Sequence, residues 1–389
     1  MRTLLLGAAV FGLACQSPAQ TNRTPERLFV DAERGRDAPG AGSKERPLRS
    51  LSAAIARLPD PIEGPMTIEV RGSHATTGAV DMPAGKLVLD RRMRVGARID
   101  IAGQPDGKGG AAVFAWAGDG AMVDARQGEW RISGVQIGTF SKDQRRGVMV
   151  QGPAEVTLDD VTFRTRSNSD AAIYAHRGGR VTMLGAIKLN EHLHEEAPDE
   201  SFCGIIATDH GSVRFGQREG ASLDIGNGSL SASYWGAIRL GCERARITSW
   251  GRQSNNLAVN NSGRIDLHDT DTTLRARAKE NTPIGPEHDG HILAEGAHIL
   301  IDGSNDCAIT LQKASTFTCN DIELRGTFRK SVWAMSGSLF VGRFLTDVTR
   351  LEAHTGAGIH IEAIAGKLLE EPTADTGAVV SLPGGRVVR

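Results

Sequence analysis

Ala171–Gly185 reads AAIYAHRGGRVTMLG. Ile173 and Ala175 alternate with more polar neighbours, a polar hinge runs over His176–Arg180, and Val181 and Met183 alternate again before Gly185. Alternation at period two marks a strand that buries one side. The same phrase returns along the chain. Val148 precedes Val156, Ile205 precedes Val213, Leu257 precedes Ile265 and Ile309 precedes Phe317, and in each case the second strand begins eight residues after the first. Looser copies start at Val123, Ile238, Ile292, Val332 and Ile359. A three-residue strand buries too little apolar surface to offset the entropy of ordering it. Stacking the copies pairs each strand with its equivalent above and below and aligns the apolar positions as internal columns. The expected fold is all-β, a right-handed parallel β-helix (solenoid). Successive copies from Val123 onward lie 17 to 35 residues apart, which a third side and its corners absorb; the intervals of 17 and 19 are short for a three-sided coil. A β-sandwich is the alternative, and the eight-residue beat argues against it.

Composition agrees. Of 389 residues, 47 are glycine and only 5% are aromatic, a balance suited to short strands and tight turns. A formal net charge of −1 implies no chain-wide attraction to nucleic acid or anionic membrane. At the N-terminus, Arg2 precedes the apolar run Leu4–Ala14, too short to span a bilayer and of the length of an export signal. Two processing readings stay open. Ser17-Pro18-Ala19 is a small-x-small site before Gln20, and Gly12-Leu13-Ala14-Cys15 resembles a lipoprotein box that would lipidate Cys15. The expected location is therefore exported: extracellular, periplasmic or outer-surface lipid-anchored, with no transmembrane segment. The four later cysteines, Cys203, Cys242, Cys307 and Cys319, match no zinc spacing and read as small buried residues, with a Cys307–Cys319 bridge conceivable.

Residues 28–59, LFVDAERGRDAPGAGSKERPLRSLSAAIARLP, read as a short strand, a Gly/Pro-rich loop and an amphipathic helix with Leu48, Leu51, Ala54, Ile55 and Leu58 at helical spacing, ended by Pro59 and Pro61. With the following Met66–Val70 and Arg94–Gly103, this stretch resembles the N-terminal entry module of right-handed parallel β-helix proteins. That group includes exported polysaccharide lyases and phage-tail or tailspike-like proteins. The loop departs from the group's usual form, since Asp31-Ala32-Glu33-Arg34-Gly35 replaces the common DGxD run. The resemblance implies a capping strand and helix before a β-helix, and leaves activity open. The expected division is a signal peptide over 1–19, a leader with capping strand and helix over 20–64, a parallel β-helix over 65–371 and a C-terminal tail over 372–389.

Functional residues are sought on the outward side. The expected outward column of the first strand is Met149, Tyr174, Ile206, Arg239, Ala258, Leu293, Thr310, Trp333 and His360. Long intervals are read as insertions at 190–201, 226–235 and 275–291. The second would bring Tyr234 and Trp235 toward Arg239, joining ring faces that stack on sugars to a guanidinium that grips carboxylates. Tyr174, Tyr234, Trp235 and Trp333 are the candidate substrate-binding residues. No metal centre and no cofactor are expected. His192, His194, Glu195 and Glu196 form an ordinary charged run, and His288, Asp289 and His291 are no stronger as ligands. The leading function is an exported surface or binding protein facing a polysaccharide or cell-surface glycan. The alternative is a polysaccharide lyase acting on an acidic polymer by β-elimination, with Arg239, Arg214 or Arg264 as the base and Arg239 the first choice, Asp209, Glu243 and Asp266 as acids on nearby coils, and calcium as its cofactor. The aspartates at Asp159-Asp160, Asp209-His210-Gly211 and Asp269-Thr270-Asp271 are in the wrong order for a polygalacturonase-like hydrolase.

Overall fold

The computed structural model describes residues 26–72, 80–81, 87–105, 111–115, 121–138, 146–164, 171–189, 202–216, 218, 221–225, 228–241, 245–249, 256–276 and 282–389. The export signal with Cys15, the His192–Glu196 run, Cys242 and Glu243 lie outside them.

The chain winds as a parallel β-helix with three faces per coil. On the first face, Val123, Val148, Ile173, Ile205, Leu230, Leu257, Ile284, Ile309, Val332 and Leu351 stack in register. On the second, the column runs Trp130, Val156, Val181, Val213, Ile238, Ile265, Ile292, Phe317, Phe340 and Ile359. On the third, Ile187, Leu223 and Ile247 follow Val161, and Ile299 and Ile322 continue the column. The inner members of these columns are buried and form one continuous core. Strand pairing is parallel except for Val387–Val388, which returns antiparallel on Val379–Ser381. Thr373–Ala374 and Val379–Ser381 add the last rungs beyond residue 371. At the strand spacing of about 4.8 Å the second face is roughly 60 Å long.

The register corrects three of the expected repeat starts. Ile238, Ile292 and Ile359 belong to the second face; the first-face members of those coils are Leu230, Ile284 and Leu351. Both inner columns show the same apolar alternation, so alternation alone does not tell them apart. With the proper anchors the suspect short interval of 17 disappears, and the eight-residue beat holds in every coil from Val148 to Leu351. It also removes one expected insertion. Gly228–Ser233 is an ordinary first-face strand, with Tyr234 and Trp235 at its corner. Within 275–291, Ile284–Pro286 is likewise a regular rung.

The beat has a physical origin in the corner between the first two faces. There the chain turns through two successive left-handed residues: Arg177/Gly178, Asp209/His210, Tyr234/Trp235, Asn261/Ser262, His288/Asp289 and Lys313/Ala314 all have φ between 47° and 82°. The corners hydrogen-bond to one another along the stack. Gly178 N donates to Asp209 O at 3.2 Å, His210 N to Tyr234 O at 3.2 Å, and Asp289 N to Lys313 O at 2.9 Å. The residue after each pair lies against the coil before it. At Gly179, Gly211, Gly236 and Gly263 a Cβ would sit 2.1 to 2.3 Å from the carbonyl oxygen of Val150, Ala175, Ala207 and Ala232 respectively. Later coils carry Ser315 and Ser338 at this position, and each hydroxyl donates to the corresponding carbonyl, of Pro286 at 2.9 Å and of Leu311 at 3.3 Å.

The entry module forms as expected. Glu26–Asp31 pairs with Met66–Arg71, and the helix Leu51–Arg57 is capped by Ser50, whose Oγ accepts from Ala53 N at 3.2 Å. Asp37 ties the loop to this cap by accepting from Arg49 N, Ser50 N and Ser50 Oγ at 2.9, 3.0 and 2.7 Å. Leu51, Ala54 and Ile55 close the end of the core. Cys307 and Cys319 are buried and free, with no bridge between them. Burial pushes their thiols up to about 11 and about 12.

Two outcomes follow. Gly236→Ala should lower unfolding stability by about 2 kcal/mol in urea titration, because the new methyl meets backbone that has nowhere to move. After treatment of the native protein with a thiol reagent at pH 8, peptide mapping should find Cys307 and Cys319 unlabelled, and labelled once denaturant is added, since only the thiolate reacts.

Candidate functional site

The outward side of the first face carries Met149, Tyr174, Ile206, Ser231, Ala258, Gly285, Thr310, Trp333 and Glu352 in register. Arg239, Leu293 and His360, expected in this column, lie on the second face. Their misplacement follows from the three misassigned repeat starts. Tyr174 and Trp333 share the column but are separated by five rungs, and both are partly buried. Tyr174 leans on His176 with ring centroids 5.0 Å apart. Trp333 lies under Lys330, whose Nζ is 4.4 Å from the ring. Neither stands with the other aromatic candidates.

Tyr234 and Trp235 are together, at the corner between the faces. Their fractional exposures are 54% and 62%. The Trp235 ring stacks on His210 of the preceding coil, at 5.4 Å and 7° between planes. This pair was hidden in the sequence; the signal is the 25-residue separation of His210 and Trp235, one coil, at equivalent corner positions. Both aromatics hold left-handed backbone, φ 47° and 60°. That conformation costs a residue with a Cβ roughly 1 kcal/mol or more. Most other corners place glycine, serine, alanine or short polar residues in one or both positions. Here two bulky rings occupy both and remain in solvent, so core packing does not account for them.

Four residues past each corner, the second face presents Arg214 and Arg239, direct register partners, and then Asp266. Arg264 holds Asp266 with Nε to Oδ1 at 2.5 Å, while Arg239 Nε is 3.6 Å from its other oxygen. Arg239 is thus an exposed guanidinium beside an already bound carboxylate. Of the aspartates weighed for a hydrolase, Asp159 meets Arg131 at 2.5 Å and Arg218 at 3.5 Å, and Asp160 Oδ1 accepts from Ala186 N at 2.7 Å. His288 Nε2 contacts Lys313 Nζ at 2.7 Å, and His291 Nδ1 contacts the Thr316 hydroxyl at 2.8 Å. Among the described residues, no three His, Cys, Asp or Glu side chains gather as metal ligands. No helix among them is long and apolar enough to cross a membrane.

A second polar cluster sits lower on the first face. Glu352 is nearly buried and meets Lys330 Nζ at 2.7 Å, Arg350 Nε at 2.7 Å and His354 Nε2 at 3.7 Å; His354 Nδ1 reaches Asp375 at 2.7 Å. Burial raises the Glu352 carboxyl, but the hydrogen bond and charge of Lys330, with Arg350 and His354, bring it below its ordinary value. All its partners are satisfied within the cluster, which fits a staple between coils.

No family model matches the chain, and no curated protein matches it. One solved structure to which it is similar is a GH136 lacto-N-biosidase from Eubacterium ramulus. The identity is 11%, the alignment covers 92% of this chain and 68% of that one, and the TM-score is 0.33. The reading of the site therefore rests on this chain's own residues.

Lys330→Ala should cost about 2 kcal/mol by removing the charged hydrogen bond at 2.7 Å that holds one oxygen of the nearly buried Glu352 carboxylate. Because the folded carboxyl lies below its unfolded value, its stabilisation is present above the ordinary glutamate range and is lost as pH falls through the folded value. Thermal melts from pH 7 down to pH 3 should show a shallower acid limb for the variant than for the parent.

Proposed function

We propose that the protein is an exported β-helix surface protein that holds a glycan at the Tyr234–Trp235 corner and performs no chemistry on it. The observation that carries this reading is the pair of exposed aromatics side by side at one corner, with Trp235 braced flat on His210. A pyranose ring has an apolar face that packs on an indole, and its hydroxyls stay in water at an open corner. The export assignment rests on the N-terminal apolar run, and the lipid anchor at Cys15 belongs to the same proposal. β-Elimination by Arg239 has less support, because Arg239 stands 3.6 Å from Asp266, a carboxylate already held by Arg264.

The test is binding of the purified mature protein to a panel of neutral and acidic polysaccharides by affinity electrophoresis, with parent, Trp235→Ala and Tyr234→Ala compared. Trp235→Ala should weaken retention about tenfold, the loss of one stacking contact, with no drop in melting temperature. Equal retention of parent and variant on every polymer would sink the reading.

A further inference from the structure

We infer that the ligand of this corner is an acidic glycan, laid from Trp235 across the second face over Arg214, Arg239 and Arg264; this rests on the glycan reading above and adds the charge class to it. Arg214 and Arg239 are opposite one another in parallel register, their Cα atoms about 4.8 Å apart. Like charges in that position repel and destabilise a sheet. Arg214 is exposed, engages no carboxylate among the described residues, and has Thr182 on its other side. The carboxylate next in the column, Asp266, is already held by Arg264 and lies 3.6 Å from Arg239. Three guanidiniums therefore face one acid over three successive coils.

Coils farther along the stack in both directions behave differently. Arg98 pairs with Asp100 at 2.8 Å, Arg131 with Asp159 at 2.5 Å, and Arg343 with Asp321 at 2.5 Å. Arg180, one coil before Arg214, stands in register with Glu155. The uncompensated stretch thus begins at Arg214 and covers the coils that flank the aromatic corner. A ligand carrying carboxylate or sulfate groups gives each arginine a planar, two-point partner and relieves the repulsion between Arg214 and Arg239. A nucleic acid carries a phosphate on every unit and calls for a long basic track, whereas this patch is three arginines beside one stacking platform, which suits a chain with sparser charges and sugar rings to stack.

The experiment measures binding of polygalacturonate, a chondroitin-sulfate-type polymer, a neutral β-glucan and a single-stranded oligonucleotide to parent, Arg214→Glu and Trp235→Ala. The expected result is tight binding of one or both acidic glycans, weakened at least tenfold by Arg214→Glu and falling steeply between 50 and 500 mM salt, at concentrations chosen to span roughly 14 to 4 Å of screening length. The carboxylated and sulfated polymers then identify which acid is read. Arg214→Glu should melt no lower than the parent, which separates loss of a ligand contact from loss of fold. If the neutral glucan binds as tightly as the acidic polymers and only Trp235→Ala weakens it, the charge inference falls and the glycan corner stands. If the oligonucleotide matches the acidic glycans, the ligand class is overturned. If Trp235→Ala changes nothing for any polymer, the glycan reading itself fails.

Discussion

The structure depends on a close approach of main chain to main chain. At each corner between the first two faces the chain reverses through two left-handed residues, and the next residue presses its Cα onto a carbonyl of the coil before it. This contact sets the distance between strand starts at eight residues and keeps successive coils in register. Glycine satisfies it by having no Cβ. Where Ser315 and Ser338 take the position, the corner accommodates a Cβ and the hydroxyl donates to the corresponding carbonyl. Once the corners stack, the apolar columns of all three faces fall into line and the core needs no long-range design beyond alternation.

The same geometry sorts residues by role. Everything that alternates inward belongs to the core, and the two corner residues are carried outside it. Tyr234 and Trp235 are therefore free of packing duties, as are Arg214 and Arg239 on the outward side of the next strand. The Glu352 cluster makes an instructive contrast. Its charges also lie outside the apolar columns, yet Lys330 and His354 are matched across coils to Glu352 and Asp375, and the result is cohesion between rungs.

Much of this was legible from the residues. The eight-residue interval, the capping helix and the inward positions came directly from spacing, since strand alternation and glycine placement are local properties. The assignment of anchors to faces did not, because Ile238 and Leu230 head similar alternating triplets and only the pairing of coils separates them. The outward column inherited that error, which placed Arg239, Leu293 and His360 beside Tyr174. The aromatic pair was found by residue type, but its brace, His210, and the uncompensated register of Arg214 with Arg239 are relations between coils. Such relations emerge only when the period is known to the residue. The Glu352 cluster was missed for the same reason: Lys330, Glu352 and Asp375 lie about one coil apart and nothing local links them.

The corner ladder has one more consequence. Because its hydrogen bonds run between backbone atoms, the side chains at the left-handed positions are interchangeable as far as stacking is concerned. The solenoid edge is thus a display rail, on which each rung carries a two-letter word that can be rewritten without recoding the fold. Arg-Gly, Asp-His, Tyr-Trp, Asn-Ser, His-Asp and Lys-Ala are successive words on that rail. Altered recognition can arise one coil at a time, by substitution or by duplication of a whole coil, while the interior remains untouched.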